Sequence, residues 1–174
     1  TVELPAEVIY GGGDNGVLYE MDGKFSFLRA WALPSSEDIE GIGADPVSGE
    51  FFTVDEDTSD VDGWDWASGS DPVKTSIDCV LAIPTDTGNN LGIEVFTYLP
   101  AEEAPADWKS ASWADANGYL FAGSQTDSNV GVFPIGLCTS DAVLSPVLSI
   151  PSTSTDIAGL ATLKGNLYVL HDSF

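Results

Sequence analysis

The sequence predicts an all-β fold assembled from a diverged repeat, and three observations predict it. A short Asp-led segment occurs three times, as Asp38-Ile39-Glu40-Gly41-Ile42, Asp107-Trp108-Lys109-Ser110-Ala111 and Asp156-Ile157-Ala158-Gly159-Leu160. Each copy is followed by a turn and an apolar strand: Phe51 to Glu56, Tyr119 to Ser124, and Leu167 to Asp172. No stretch sustains the 3.6-residue periodicity of an amphipathic helix, whereas apolar runs bounded by Gly, Pro, Asn and Asp recur throughout.

Each element follows from local chemistry. Val17 to Met21 and Phe25 to Leu33 read as two strands joined at Met21-Asp22-Gly23-Lys24, whose Asp-Gly pair favours a tight hairpin. The corresponding pairs downstream are Val80 to Ile83 with Ile93 to Leu99, and Gly131 to Ile135 with Ala142 to Ile150. Turns at Asp45 to Gly49, Asp115 to Gly118 and Lys164 to Asn166 then link each Asp-led strand to the strand after it. A unit therefore reads strand, turn, strand, Asp-led strand, turn, strand, and four antiparallel strands of this kind make a propeller blade.

The expectation is a β-propeller-like array of about three four-stranded antiparallel blades in a single domain, residues 1–174. Residues 1–15 hold an orphan last strand, because Val8-Ile9-Tyr10-Gly11 resembles the end of a blade. Blade one spans 16–57, an acidic insertion 58–76, blade two 77–126 and blade three 127–174. Closed propellers need about four to eight blades, so the array is expected to be part of a larger propeller or one completed by other copies or missing chain. Phe25, Phe27, Trp31 and Leu33 alternate with Leu28, Ala30 and Ala32, which suggests a sheet covered on both faces. With 174 residues and 43% apolar content the chain can bury a sizeable core.

Charge is the second strong signal. Five basic against 28 acidic residues leave a net charge of −23, which excludes a nucleic-acid-binding surface and disfavours unassisted capture of polyanions. A solvated acidic surface accounts for this composition; so does a set of carboxylates gathered around calcium, which takes oxygen ligands from Asp, Glu and backbone carbonyls. The densest run extends from Asp55 to Asp71 and lengthens the spacing of the Asp-led positions from 49 residues to 69. Asp60-Val61-Asp62-Gly63 has the middle of an EF-hand loop but not its ends, since Thr58 and Gly69 occupy the first and twelfth positions. The run reads either as a calcium loop of another kind or as an exposed insertion. One of its two tryptophans, Trp64 or Trp66, is expected to be buried.

Cys79 and Cys138 are the only cysteines. They read as one disulfide between the second and third units of an extracellular chain, or alternatively as two buried thiols. The chain begins at Thr1 with no leader, as a processed secreted protein would, and no apolar run is long enough to span a bilayer. It contains no Asn-x-Ser/Thr acceptor.

Catalytic constellations are scarce. There is no nucleophile elbow, no zinc-protease motif and no Walker loop. The glycine-rich Gly11 to Gly16 is followed by a strand and reads as a turn. His171 stands beside Asp172, a pair suited to general-base work, with no nucleophile near it in sequence. Asp38 and Glu40, two apart on a strand, share a face and suit either acid/base chemistry or a metal.

The Asp38 to Ile42 and Phe51 to Glu56 pair, with Asp156 to Leu160 and Leu167 to Asp172, resembles the SdiA-regulated and esterase-like-phytase group of β-propellers. In that group an Asp-x-Glu-Gly-[Ile/Leu] strand precedes a strand ending in an acidic residue, and the propeller often carries calcium. Lys109 and Ser110 in the second copy, and Ala158 in the third, depart from the pattern, so the resemblance implies a single calcium site in the first copy.

The sequence thus predicts a secreted acidic binding or assembly module, extracellular, periplasmic or at a cell surface, and a candidate subunit of an extracellular structure. Calcium is the expected cofactor, with Asp38, Glu40, Asp55 and Glu56 as ligands and Asp57, Asp60 and Asp62 as a second set. Other copies or missing chain are the expected partners, with no nucleic acid and no membrane span. The reading leans away from an enzyme; its rival is a calcium-dependent phytase-like phosphoesterase or esterase, for which five scattered basic residues offer little to hold an anionic substrate.

Overall fold

The computed structural model describes residues 8–13, 15–33, 38–45, 47–65, 71–83, 92–124, 128–139, 142–152 and 157–171. They form fourteen strands in four separate sheets. β1 (Val8–Gly11), β2 (Val17–Asp22) and β3 (Phe27–Ala32) make a three-stranded antiparallel sheet. β4 (Ile39–Ala44), β5 (Phe51–Asp55), β6 (Asp60–Asp65) and β7 (Val73–Leu81) form an antiparallel meander, to which β11 (Ala142–Leu144) adds in parallel beside β7. β8 (Val95–Leu99), β9 (Tyr119–Gly123), β10 (Asn129–Pro134) and β12 (Leu148–Pro151) form a second antiparallel meander. β13 (Ile157–Leu163) and β14 (Asn166–His171) make a two-stranded hairpin.

This corrects the expected array of three propeller blades. The chain is all-β, but among the described residues its sheets have three, five, four and two strands, none closes, and one is mixed. The expected phase fails because an Asp-led strand opens a sheet instead of standing third in one. β3 and β4 belong to different sheets, as do β7 and β8. Hairpin chemistry fixes which neighbours pair, but not where one sheet stops and the next begins. The orphan strand also has a home, since β1 pairs with β2 across the glycine-rich turn, where Gly16 N–H donates to Gly13 O at 2.9 Å.

Two further differences have local causes. The segment around Asp107 is not a strand: Trp108–Ser110 is a single 3-10 turn, with Trp108 packed on Trp113, Tyr119 and Phe121. The position beside β9 that it was expected to fill is taken by β8, buried along its whole length. The acidic run is likewise not a loop throughout, because Asp60–Asp65 is an inner strand of the five-stranded sheet. Val61, Gly63 and Trp64 point it inward, and the Trp64 indole N–H donates to Thr53 Oγ1 at 3.0 Å. Trp66 lies outside the described residues.

Three cores lie between the four sheets. Leu18, Leu33, Ile39, Phe51 and Trp64 join the three- and five-stranded sheets. Phe52, Val54, Leu81, Phe96, Leu120 and Phe133 join the five- and four-stranded sheets, with the Cys79–Cys138 disulfide among them. Val95, Tyr119, Phe121, Val132 and Ile157 join the four-stranded sheet to the hairpin. β5, β8 and β9 are buried at every position, as strands covered on both faces must be. β3, the strand on whose pattern that expectation was built, is instead half open, with Phe27 and Leu28 65% and 46% exposed. At the other end Leu163, Tyr168 and Leu170 of the hairpin are exposed. Among the described residues no helix is long and apolar enough to cross a membrane.

Candidate metal site

β4 begins with a bulge. Ile39 pairs with Asp55 and Gly41 with Val54, so Glu40 is the extra residue. A bulge bends the strand and re-aims the side chain it carries, and bulges concentrate at functional edges. The third copy bulges at the same place, between Ile157 and Gly159, which shows that the repeat seen in sequence is structural in these two copies. There Ala158 occupies the bulge, and no carboxylate is delivered.

Hydrogen bonds tie the first copy to the end of β5. Glu56 N–H donates to Asp38 O at 3.0 Å, and Asp38 N–H donates to Asp55 Oδ2 at 3.4 Å. As a result Asp38, Glu40 and Glu56 each place a carboxylate oxygen within 4.8 Å of the other two. Like charges this close repel unless a cation or proton lies among them. Burial pushes the Glu56 carboxyl above its ordinary range, the charges of Asp38 and Asp57 push it further, and bonds from Glu94 and from the Gly92 backbone partly offset them. Glu56 is buried, and its Oε1 has no hydrogen-bond partner among the described residues. A buried carboxylate oxygen left without a donor carries a desolvation cost that a bound cation would offset.

The remaining predicted ligands go elsewhere. Asp55 Oδ1 accepts from the Thr58 N–H and hydroxyl at 3.0 and 2.8 Å, so this residue shapes the turn that presents Glu56. Asp57 and Asp60 are exposed. Asp62 is buried against Lys74, with Oδ1 and Nζ 2.7 Å apart. The second predicted set, Asp57, Asp60 and Asp62, is therefore not gathered.

Glu94 is the neighbouring carboxylate that sequence reasoning missed. It bonds to Glu56, and with Glu40 it lines a cleft of about 300 Å³ bounded by β1, β4, β8 and β13. Gly92 lets this segment approach, since any side chain there would overlap the Glu56 backbone. The signal available was Gly92-Ile93-Glu94, which has the same three residue types as Glu40-Gly41-Ile42 in another order.

Three carboxylate donors and no nitrogen or sulfur suit a hard cation, calcium or magnesium, over a transition metal. Calcium tolerates irregular coordination and would draw its remaining ligands from carbonyls and water.

His171 acquires a hydroxyl neighbour that sequence did not reveal. Ser152 Oγ lies 2.8 Å from its Nε2. Nδ1 is buried and has no partner among the described residues. Asp156 and Asp172 lie outside the described residues.

No protein-family model matches the chain, and no curated protein does. Among solved structures it is similar to a chain in a humanized mutant of the Chaetomium thermophilum Polycomb Repressive Complex 2 bound to the inhibitor GSK126, at 11% identity and a TM-score of 0.54. The similarity covers 94% of this chain and 32% of that one, so the chain spans about a third of its neighbour's length. At this identity the likeness is one of fold alone.

Proposed function

We propose that this chain is a calcium-binding β-structured module used for binding or assembly in an extracellular structure. The observation that carries the reading is the convergence of Asp38, Glu40 and Glu56, with a buried Glu56 oxygen lacking a partner. Calcium would fasten the bulged start of β4 to the end of β5 and, through Glu94, to the approach of β8. Its role is structural: it neutralises carboxylates beside the cleft where strands of all four sheets meet. The resemblance carried by the first-copy motif points to the same residues.

Two features support assembly. Both outer sheets leave large apolar side chains in water, Phe25, Phe27 and Leu28 at one end and Leu163, Tyr168 and Leu170 at the other. Such patches favour association with further chain or other copies. The disulfide supports an oxidising, extracellular setting. A phosphoesterase would need cations to hold its substrate. Of the five basic residues, Arg29 pairs with Glu20 and Lys74 with Asp62, leaving little for a phosphate.

Calorimetric titration with calcium tests the site, since extracellular calcium modules bind at about 0.1–1 mM. One binding event in that range, abolished in Glu56→Gln and weakened at least tenfold in Asp38→Asn, is expected. Absence of binding at several millimolar calcium, or undiminished binding in both variants, would overturn it.

A further inference from the structure

A second concave site lies away from the carboxylate cluster, where the β4–β5 turn faces the loop before β9. It has a volume of about 550 Å³. Its floor is apolar, formed by Phe52, Ile77, Ile135 and the ring of Tyr98. Asp45, Glu50 and Glu102 stand around it, and Asp115 lines an adjoining cavity that shares Glu102.

The hydrogen-bonding groups of this site face one way. The Val47 N–H and Ser48 hydroxyl donate to Asp45, at 2.9 and 2.7 Å. The Asn117 and Gly136 N–H groups donate to Asp115, and the Tyr98 hydroxyl donates to Asn117 O at 2.6 Å. These donors are thus turned onto the site's own oxygen atoms, and the charged groups that line the groove itself, Asp45, Glu50 and Glu102, are all acceptors. Among the described residues no ion pair neutralises Asp45, Glu50, Glu102 or Asp115. The nearest cation, Lys109, donates to the Glu102 backbone carbonyl at 2.7 Å. The four acidic side chains act together on the floor: burial holds the Tyr98 hydroxyl well above its ordinary pKa, and Asp45, Glu102, Asp115 and Glu50 each add to that.

We infer that this groove receives a lysine or arginine side chain from a protein partner. An apolar floor beneath a carboxylate rim matches an aliphatic stem ending in a cationic donor. A small hydrated metal ion would leave the floor unused, and an anion would be repelled by the carboxylate rim. The groove is open to solvent, so the cationic side chain can arrive on a polypeptide. The inference does not depend on calcium, whose proposed ligands line neither cavity.

The test is binding of an alternating lysine-glycine hexapeptide to the whole chain, followed by calorimetry and by amide chemical shifts. Saturable binding that moves the signals of Tyr98, Asn117 and Glu50 is expected, and the lysine-acetylated peptide should not bind. Glu50→Gln/Glu102→Gln should weaken binding tenfold or more, whereas Asp65→Asn/Asp71→Asn, which removes the same charge from exposed positions elsewhere, should change it less than twofold. Ala116→Arg, at an exposed position lining the groove, supplies a tethered guanidinium and should block the peptide without altering the core. Glu56→Gln should bind the peptide normally even where calcium binding is lost. Equal losses in the two double variants would reduce the effect to diffuse charge and overturn the inference. Binding of the acetylated peptide, spermidine binding as tightly as the hexapeptide, or displacement by millimolar calcium would also overturn it.

Discussion

Gly41 meets Phe96 backbone to backbone: a methyl group built on the Gly41 α-carbon would overlap Phe96 Cβ. Gly43 repeats the contact two residues on, with Tyr98 Cβ 2.8 Å from the same construction. These glycines allow β4 and β8 to approach without intervening side chains. Gly41→Ala is expected to cost about 1–3 kcal/mol as overpacking. Gly159, its counterpart in the third copy, has only ordinary contact with Leu170 at 3.5 Å, so Gly159→Ala should be neutral within about 0.5 kcal/mol. Urea unfolding of both variants checks this; equal losses would show that the close approach is not what the glycine provides.

Proton linkage should reveal the carboxylate cluster even without metal. Burial first, then the charges of Asp38 and Asp57, raise the Glu56 pKa above its ordinary 4.5. The folded state then holds this proton more tightly than the unfolded state. In calcium-free buffer the Glu56 contribution should therefore decrease as pH rises from 4.5 through the raised folded value, and level off above it. Subtracting the stability curve of Glu56→Gln isolates the effect, and parallel curves would refute it. Calcium should remove the alkaline penalty.

Lys74 is the counter-ion of a buried Asp62, at 2.7 Å, and also reaches Asp78 at 3.4 Å. Burial works against its charge, but the hydrogen bond and charge of Asp62, with Asp78, outweigh it and raise its pKa. Lys74→Met would leave Asp62 buried beside an apolar stem. Because Lys74 is more than one-third exposed, the expected loss is about 1–2 kcal/mol, below that of a fully buried pair. Thermal unfolding at neutral pH should show the loss, and Lys74→Met/Asp62→Asn should recover part of it. No recovery would place the effect in packing.

The disulfide joins residues 59 apart. In the chain-entropy treatment a loop of that length contributes about 4 kcal/mol. Cys79→Ala/Cys138→Ala should lose an amount of that order in denaturant unfolding. A change below about 1 kcal/mol would show that the cross-link constrains little that packing does not already hold.

Strand content was legible in the sequence because hairpin turns carry local chemistry. Asp22 accepts from the Lys24 and Ser26 N–H groups, and Lys164 and Gly165 both adopt positive φ, as tight hairpins require. Sheet boundaries were not legible, because Phe27 and Leu28 read as core in sequence and are exposed in the fold. Nor does local sequence reveal that β11 pairs in parallel with β7, a partner more than sixty residues upstream. At the site, Asp38, Glu40 and Glu56 could be read because one hairpin brings them together. Glu94 could not, since it arrives from another sheet by way of a close approach at Gly92.

The cross-link between Cys79 and Cys138 also has a mechanical meaning. Between its two ends lie strands β8, β9 and β10 of the four-stranded sheet, enclosed in a covalent ring. Tension applied at the chain termini would run through the sulfur bridge and bypass them. In a fibre or surface layer under load, about 210 Å of contour, at about 3.6 Å for each of the 59 residues, would stay hidden until reduction released it. Such a chain would extend in two regimes set by the redox state of its surroundings.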